Sequence, residues 1–318
     1  MRDSETGRWT HPATILVATD LSDLDHLMPF ALEQAGETGA RLILLHVLPA
    51  TAAIGADAAG MPYYDTASAL DISEQMLRPW CEHAARHGIR CDALVREGYA
   101  TYQIAVAVRQ FQADRVLLGT RSRSKLGKLL IGSVAEQVLR SVYLPVVTVG
   151  PEAHLPVDRG PERVIERVVV HATTLRETSR PSAALACQVA AAQKARLVLL
   201  HVLPHIAEME RKGLPTGMDS AAMVELRILA EQTGTDCCSA VEPIVAHGNP
   251  SIEILALAHE RHASLIVLGA TQRSAFKNLT RDRTVYHVLA HARCPVLTLR
   301  EPQVMPEEVH AETAAAHQ

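Results

Sequence analysis

The chain contains one sequence twice, so whatever it folds into must be built twice. LILLHVLP at 42–49 returns as LVLLHVLP at 197–204, 155 positions on. VREGYATYQIAVAV at 95–108 aligns with VAHGNPSIEILALA at 245–258, 150 positions on. The same offset of 150 takes ADRVLLGT at 113–120 to ASLIVLGA at 263–270, and LPVVTV at 144–149 to CPVLTL at 294–299. Four blocks in one order mean a duplicated domain, and the five-residue change of offset fits a shorter segment after the second HVLP. The 318 residues suit two domains of similar size. The expected division is a first domain over 1–150, a linker over 151–162 rich in Pro, Gly and charge, a second domain over 163–300, and a flexible tail over 301–318.

Within a copy, short apolar runs alternate with helical patterns. In the first, ILVAT (15–19) is a continuous apolar run of the kind found in a strand buried on both faces. A helix through MPFALEQAGETG follows, with Gly36 and Gly39 marking its end. RLILLHV, CDALVRE, RVLLG and PVVTV read as four further strands. Between them lie helical stretches at 67–87, TYQIAVAVRQF and GSVAEQVLRSV, while 49–64 reads as a surface loop. Aromatic residues are only 3% of the chain against 48% apolar overall, so Val, Leu, Ile and Ala must fill the core. That favours parallel strands under Ala-rich helices, an α/β class with right-handed crossovers and helices on both faces.

Several function classes lose their support at this point. Lys plus Arg number 31 against 35 Asp plus Glu, a net charge of −4, which offers no electrostatic footprint for nucleic acid. No apolar run reaches the ~18 residues of a membrane span, and MRDSETGRWTHPATILVATD has no signal core. The cysteines Cys81, Cys91, Cys187, Cys237, Cys238 and Cys294 form no CxxC pair, which fits a reduced, cytoplasmic chain. Cys81 and Cys91 read as half-buried small apolar residues rather than redox sensors. His83 with His87, and His287 with His291, stand four apart on helices, but no carboxylate or thiolate pattern completes a metal site. GxSxG, GxGxxG and Walker A motifs are all missing.

In an open parallel sheet, ligands bind beyond the carboxyl ends of the strands. In the first copy those ends carry Asp20, Val47 and Gly119. The loop GTRSRSKLGKLLIGSVAEQ then runs from Gly119 to a helix opened by Gly132 and Ser133, where unpaired N–H groups and the dipole suit a phosphate. Arg121, Arg123, Lys125 and Lys128 make it locally positive. In the second copy Gly269 is kept, Gln272 takes the place of Ser122, and Asp282-Arg283 takes the place of Gly132-Ser133. Thr173 or Thr174 takes the place of Asp20. A carboxylate at that helix start caps the N–H groups itself and repels phosphate, so no nucleotide is expected there.

These residues resemble the universal stress protein family in its tandem form. The family's nucleotide signature is Gly, two residues, Gly, nine residues, Gly-Ser. Gly119, Ser122, Gly132 and Ser133 stand at that spacing, with Ser in place of the second Gly. The resemblance implies two five-stranded parallel sheets, each in the order 3-2-1-4-5, of adenine nucleotide alpha hydrolase-like architecture. It further implies that Asp20 and Val47 contact adenine or ribose and that Ala18 and Leu118 line the base pocket. Gly119, Ser122, Gly132, Ser133 and Val134 would surround the ribose and phosphates. The cofactor implied is ATP, with or without Mg2+, and no general base aimed at a γ-phosphate is recognisable, so a regulatory module rather than an enzyme is expected. The final strands would otherwise be bare sheet edges, and in the family they pair. An intrachain pseudo-dimer is therefore expected, with further homodimerisation and protein partners left open. The alternative is a nucleotide-independent interaction scaffold on the same fold. An adenylate-forming enzyme is disfavoured, because ATDLSD stands where its SGGxDS loop would be.

Overall fold

The computed structural model describes residues 7–49, 66–120, 131–155, 166–205, 217–234, 240–271 and 282–301. Ser122, the four basic residues of its loop, Gln272, the Cys237-Cys238 pair, the 302–318 tail, and nearly all of the 49–64 loop lie outside those residues, as does the later part of the linker. The first half runs β1 (Thr14–Thr19), α1 (Leu24–Thr38), β2 (Arg41–Leu48), α2 (Thr66–Arg86), β3 (Cys91–Glu97), α3 (Ala100–Gln110), β4 (Arg115–Gly119), α4 (Ser133–Ser141) and β5 (Val146–Val149). The second runs β6 (Val168–Ala172), a short 3-10 turn (Glu177–Ser179), α5 (Arg180–Ala192), β7 (Arg196–Leu203), α6 (Met218–Gly234) and β8 (Val241–His247). It closes with α7 (Pro250–Glu260), β9 (Leu265–Thr271), α8 (Asp282–His291) and β10 (Val296–Glu301). Helix α1 continues through Gly36 and stops at Gly39, whose φ of 72° is left-handed and whose N–H bonds back to the Ala35 carbonyl. That is an ordinary glycine helix stop. No helix among the described residues is long and apolar enough to cross a membrane.

Each half has the expected α/β strand order, but the two five-stranded sheets are halves of one ten-stranded sheet ordered β3-β2-β1-β4-β5-β10-β9-β6-β7-β8. All ladders within a half are parallel, and the seam β5–β10 is antiparallel. Its register is self-complementary. Val147 opposes Leu297, Val146 opposes Thr298 and Thr148 opposes Val296, and at the repeat offset of 150 each of these pairs maps onto itself or onto its mirror. This is the pairing a two-fold axis imposes when equal edges meet. It satisfies edge groups that would otherwise lie bare, and Thr148 Oγ1 adds a 3.2 Å bond to the Val296 carbonyl.

Packing follows the seam. One core cluster contains Ile15, Val17, Leu27 and Met28 of the first half together with Leu185, Ala186, Leu199 and Leu297 of the second. On this face, under α1 and α5, the apolar interior therefore runs across the seam. On the opposite face the halves keep separate clusters, one around Leu16, Leu45, Ile104 and Val138 and one around Val170, Leu200, Ile254 and Leu289. Ile131 and Leu139 touch both of these. Polar links reinforce the join. Arg167 pairs with Glu33 at 3.0 Å and also with Glu37, Thr10 Oγ1 donates to Gln188 Oε1 at 2.6 Å, and the His154 N–H reaches the Arg293 carbonyl at 3.1 Å.

Candidate functional site

The candidate residues sit where β1, β2 and β4 end. Ala18 pairs in register with Leu45 on one side and Leu118 on the other. Ala18, Val47 and Leu118 all pack with the cluster that contains Ala135 in the first turn of α4. Strand ends and helix start thus share one apolar floor. The end of β4 and the start of α4 meet directly, because the Gly132 N–H donates to the Thr120 carbonyl at 3.3 Å. Gly132 is the residue before α4, and no side chain among the described residues caps the helix there. Ser133 and Val134 are exposed in its first turn. The φ and ψ of Gly132, −61° and 144°, are open to any residue, so its backbone conformation does not require glycine.

The turn after β1 is held by its own side chains. Thr19 Oγ1 accepts from the Leu21 N–H at 2.9 Å and donates to Asp23 Oδ1 at 2.6 Å. Leu21 is left-handed at φ 71°, a strain the threonine turn helps to maintain. Asp20 Oδ1 accepts from both the N–H and the hydroxyl of Ser22, at 2.9 and 2.6 Å. His46 Nδ1 faces the Thr19 carbonyl at 3.0 Å. A carbonyl only accepts, so that ring nitrogen is the donor.

Sequence reasoning missed Asp23. A Cβ added at Gly119 would run into the Asp23 carboxylate, so the glycine makes room for this side chain as well as for anything approaching from outside. The signal was present in TDLSD, a Thr followed by an acid four residues later at a helix start, but the cross-strand neighbour could not be read from it.

The second half repeats this turn with different chemistry. Thr173 Oγ1 accepts from the Leu175 N–H at 3.1 Å, Leu175 has φ 58°, and His201 Nδ1 faces the Thr173 carbonyl at 2.9 Å. Thr173 therefore corresponds to Thr19, and exposed Thr174 to Asp20. The equivalence of His46 and His201 is a strand-to-turn bond common to both halves. The place of Asp23 is taken two residues later by Ser179, whose Oγ is 3.1 Å from Thr173 Oγ1. At the far side of the site α8 begins at Asp282, where the first half has Gly132.

Other candidates fall on the surface or in the core. His287 and His291 stack at 4.3 Å, and burial followed by the neighbouring His291 pulls the His287 pKa down. His83 and His87 lie 4.6 Å apart, and the described residues contain no group of three metal-ligating side chains. His171 is fully buried in β6, with Nδ1 on the Val267 carbonyl at 3.0 Å and Nε2 lacking a partner among the described residues. Burial pulls its pKa down to about 4.

The universal stress protein family model matches residues 13–150 and again 166–300. A universal stress protein of Methanocaldococcus jannaschii is 25% identical over 136 residues, 42% of this chain and 80% of that protein. One from Thermus aquaticus is 30% identical over 138 residues, 43% of this chain and 97% of that protein. Among solved structures, a universal stress protein from Archaeoglobus fulgidus superposes with a TM-score of 0.67 at 21% identity, covering 91% of this chain and 98% of its own. A functionally unknown protein from Pseudomonas aeruginosa gives 0.60 at 16%, covering 92% and 95%. These two likenesses concern the fold. With the family model matched twice and the repeat built into one sheet, the chain belongs to the universal stress protein family, carrying two of its domains in tandem.

Proposed function

We propose that the first half binds an adenine nucleotide, ATP with or without Mg2+, and that the chain acts as a cytoplasmic regulatory binding module rather than as an enzyme. The observation that carries this reading is the bond from the Gly132 N–H to the Thr120 carbonyl. It draws the first turn of α4 back to the end of β4, beside the apolar floor of Ala18, Val47 and Leu118. That floor offers an apolar surface for a base, Asp20 stands at its rim, and the N–H groups of Ser133 and Val134 suit a phosphate. The family resemblance extends the set to Gly119 and Ser122. In the second half Thr174 and Asp282 replace Asp20 and Gly132, and we assign that half no nucleotide. Nothing in the described site supplies a base with an orienting partner, which supports a binding role.

One observation favours the scaffold reading instead: Asp20 Oδ1 is already engaged by Ser22, and Asp23 occupies the space beside Gly119. Calorimetric titration of the full chain with ATP separates the two. We expect saturation at one site per chain and a loss of up to about fivefold in affinity for Gly132→Asp, the upper end of a helix-terminal charge effect of ~1 kcal/mol. The variant should fold, since aspartate is a favoured residue at that position. No binding heat from wild type, with no nucleotide released on denaturation, would leave the scaffold as the function.

A further inference from the structure

Cys81 lies in the last third of α2 and Cys91 is the first residue of β3, an edge strand of the sheet. Their sulfurs are 2.8 Å apart, close enough that bonding at ~2.05 Å needs a movement of under about 1 Å. Both are half-buried against the apolar core that also receives Trp80. The turn between them is held by its own backbone. The His87 and Ile89 N–H groups both donate to the Ala84 carbonyl, the Gly88 N–H donates to Ala85, and Gly88 is left-handed at φ 74°. Such a helix stop fixes the exit of α2 against the start of β3, so the two thiols meet because the fold around them is rigid. Among the described residues, the second half lacks the arrangement. Leu197 pairs with Val241 where Leu42 pairs with Cys91.

We propose that Cys81 and Cys91 are a peroxide-reactive dithiol that closes to an intrachain disulfide, stapling α2 to the edge strand β3. Either sulfur can be the donor at this distance; with the hydrogen on Cys91, its S–H donates to Cys81. That bond lowers the Cys81 pKa and raises that of Cys91, while burial and the Asp92 and Glu82 carboxylates work against the Cys81 thiolate. Cys81 is thus the attacking sulfur. Its thiolate displaces hydroxide from hydrogen peroxide and becomes a sulfenic acid. The Cys91 thiol then attacks that sulfur, the S–S bond forms, and water leaves with the Cys91 proton. Overall, two thiols and one peroxide give one disulfide and two waters, with the two cysteines oxidised and the peroxide reduced.

The test is peroxide treatment of the full-length protein, alkylation of remaining thiols, and tryptic mapping by mass spectrometry. Cleavage after Arg86 and Arg90 puts the two cysteines on separate peptides, so a disulfide is read as a linked pair that a reductant releases. We expect that linked pair in the wild type at peroxide doses that leave buried Cys187 and Cys294 alkylatable after unfolding. In Cys91→Ser, dimedone should label Cys81 as the trapped sulfenic acid. In Cys81→Ser, Cys91 should stay unlabelled. Absence of the linked pair at doses that already oxidise exposed methionines would overturn the proposal. So would equal labelling of the two single variants, which would remove the assigned order of attack.

Discussion

The two halves have one backbone plan and different side chains around it. At the end of its first strand the first half carries two carboxylates, Asp20 and Asp23. The second has Thr174 and Ser179 there, with Glu177 exposed in the turn. At the start of the last helix the first half has Gly132-Ser133 and the second Asp282-Arg283. The threonine turn, the left-handed leucine and the histidine on the threonine carbonyl persist in both. Features shared by both halves hold the fold. Features that differ are free to serve something else, and this separation is what a single-copy domain cannot offer.

The largest expected break in the comparison comes from His171, which stands where the first half has Val17, since both occupy the same place in the register with β2 or β7. Its pKa of about 4 in the folded chain lies below the ~6.5 of an unfolded one. The unfolded state therefore takes up the proton first. Stability is complete above pH ~6.5 and is lost as the pH falls towards 4, by about 3 kcal/mol at pH 4. His171→Val should abolish that loss, read as equal denaturant midpoints at pH 7 and pH 4 after correction for other groups. A variant as acid-sensitive as wild type would show that the imidazole is not the origin.

Next is Gly119→Ala, which drives a Cβ into the Asp23 carboxylate and should cost about 1–3 kcal/mol in chemical denaturation. Adding Asp23→Ser, the side chain that the second half uses, should restore most of it. A double variant no better than the single one would locate the strain elsewhere. Helix α7 is capped by Asn249, whose Oδ1 accepts from the Ser251 N–H at 3.1 Å, whereas Tyr99 at the capping position before α3 supplies no side-chain cap. Tyr99 is 82% exposed, so Tyr99→Asn should gain about 1 kcal/mol in thermal unfolding. The smallest effect belongs to the ion pairs across the join. Arg167→Ala should cost under ~1 kcal/mol, and raised salt should shrink that difference.

Much of this arrangement was legible in the repeated blocks. ILVAT, RLILLHV, CDALVRE, RVLLG and PVVTV are all strands, and the apolar runs of all but CDALVRE, the edge strand, announced a buried parallel sheet. The seam was legible too, because PVVTV and CPVLTL recur as edges that need a partner. What could not be read are contacts between elements that local pattern does not couple. Asp23 meets Gly119 across 96 positions of chain. Cys81 and Cys91 look unrelated until the stop at Gly88 turns the strand back beside the helix. The doubt over Thr173 or Thr174 needed the left-handed leucines to align the turns. His171 is the exception, since a histidine two positions after Val169 in VVVHA falls on an inward face and could have been picked out.

The β5–β10 seam joins two equal edges that the chain itself carries in a fixed ratio of one to one. An interface between separate subunits dissolves on dilution, and its two sides change together because one gene encodes both. Here the partner is tethered, so its local concentration is set by the connecting chain and not by expression level. Each edge can also be altered without altering the other. That independence accommodates Gly132 in one half and Asp282 in the other, and it makes this molecule an asymmetric pair of domains that cannot come apart into the wrong pairs.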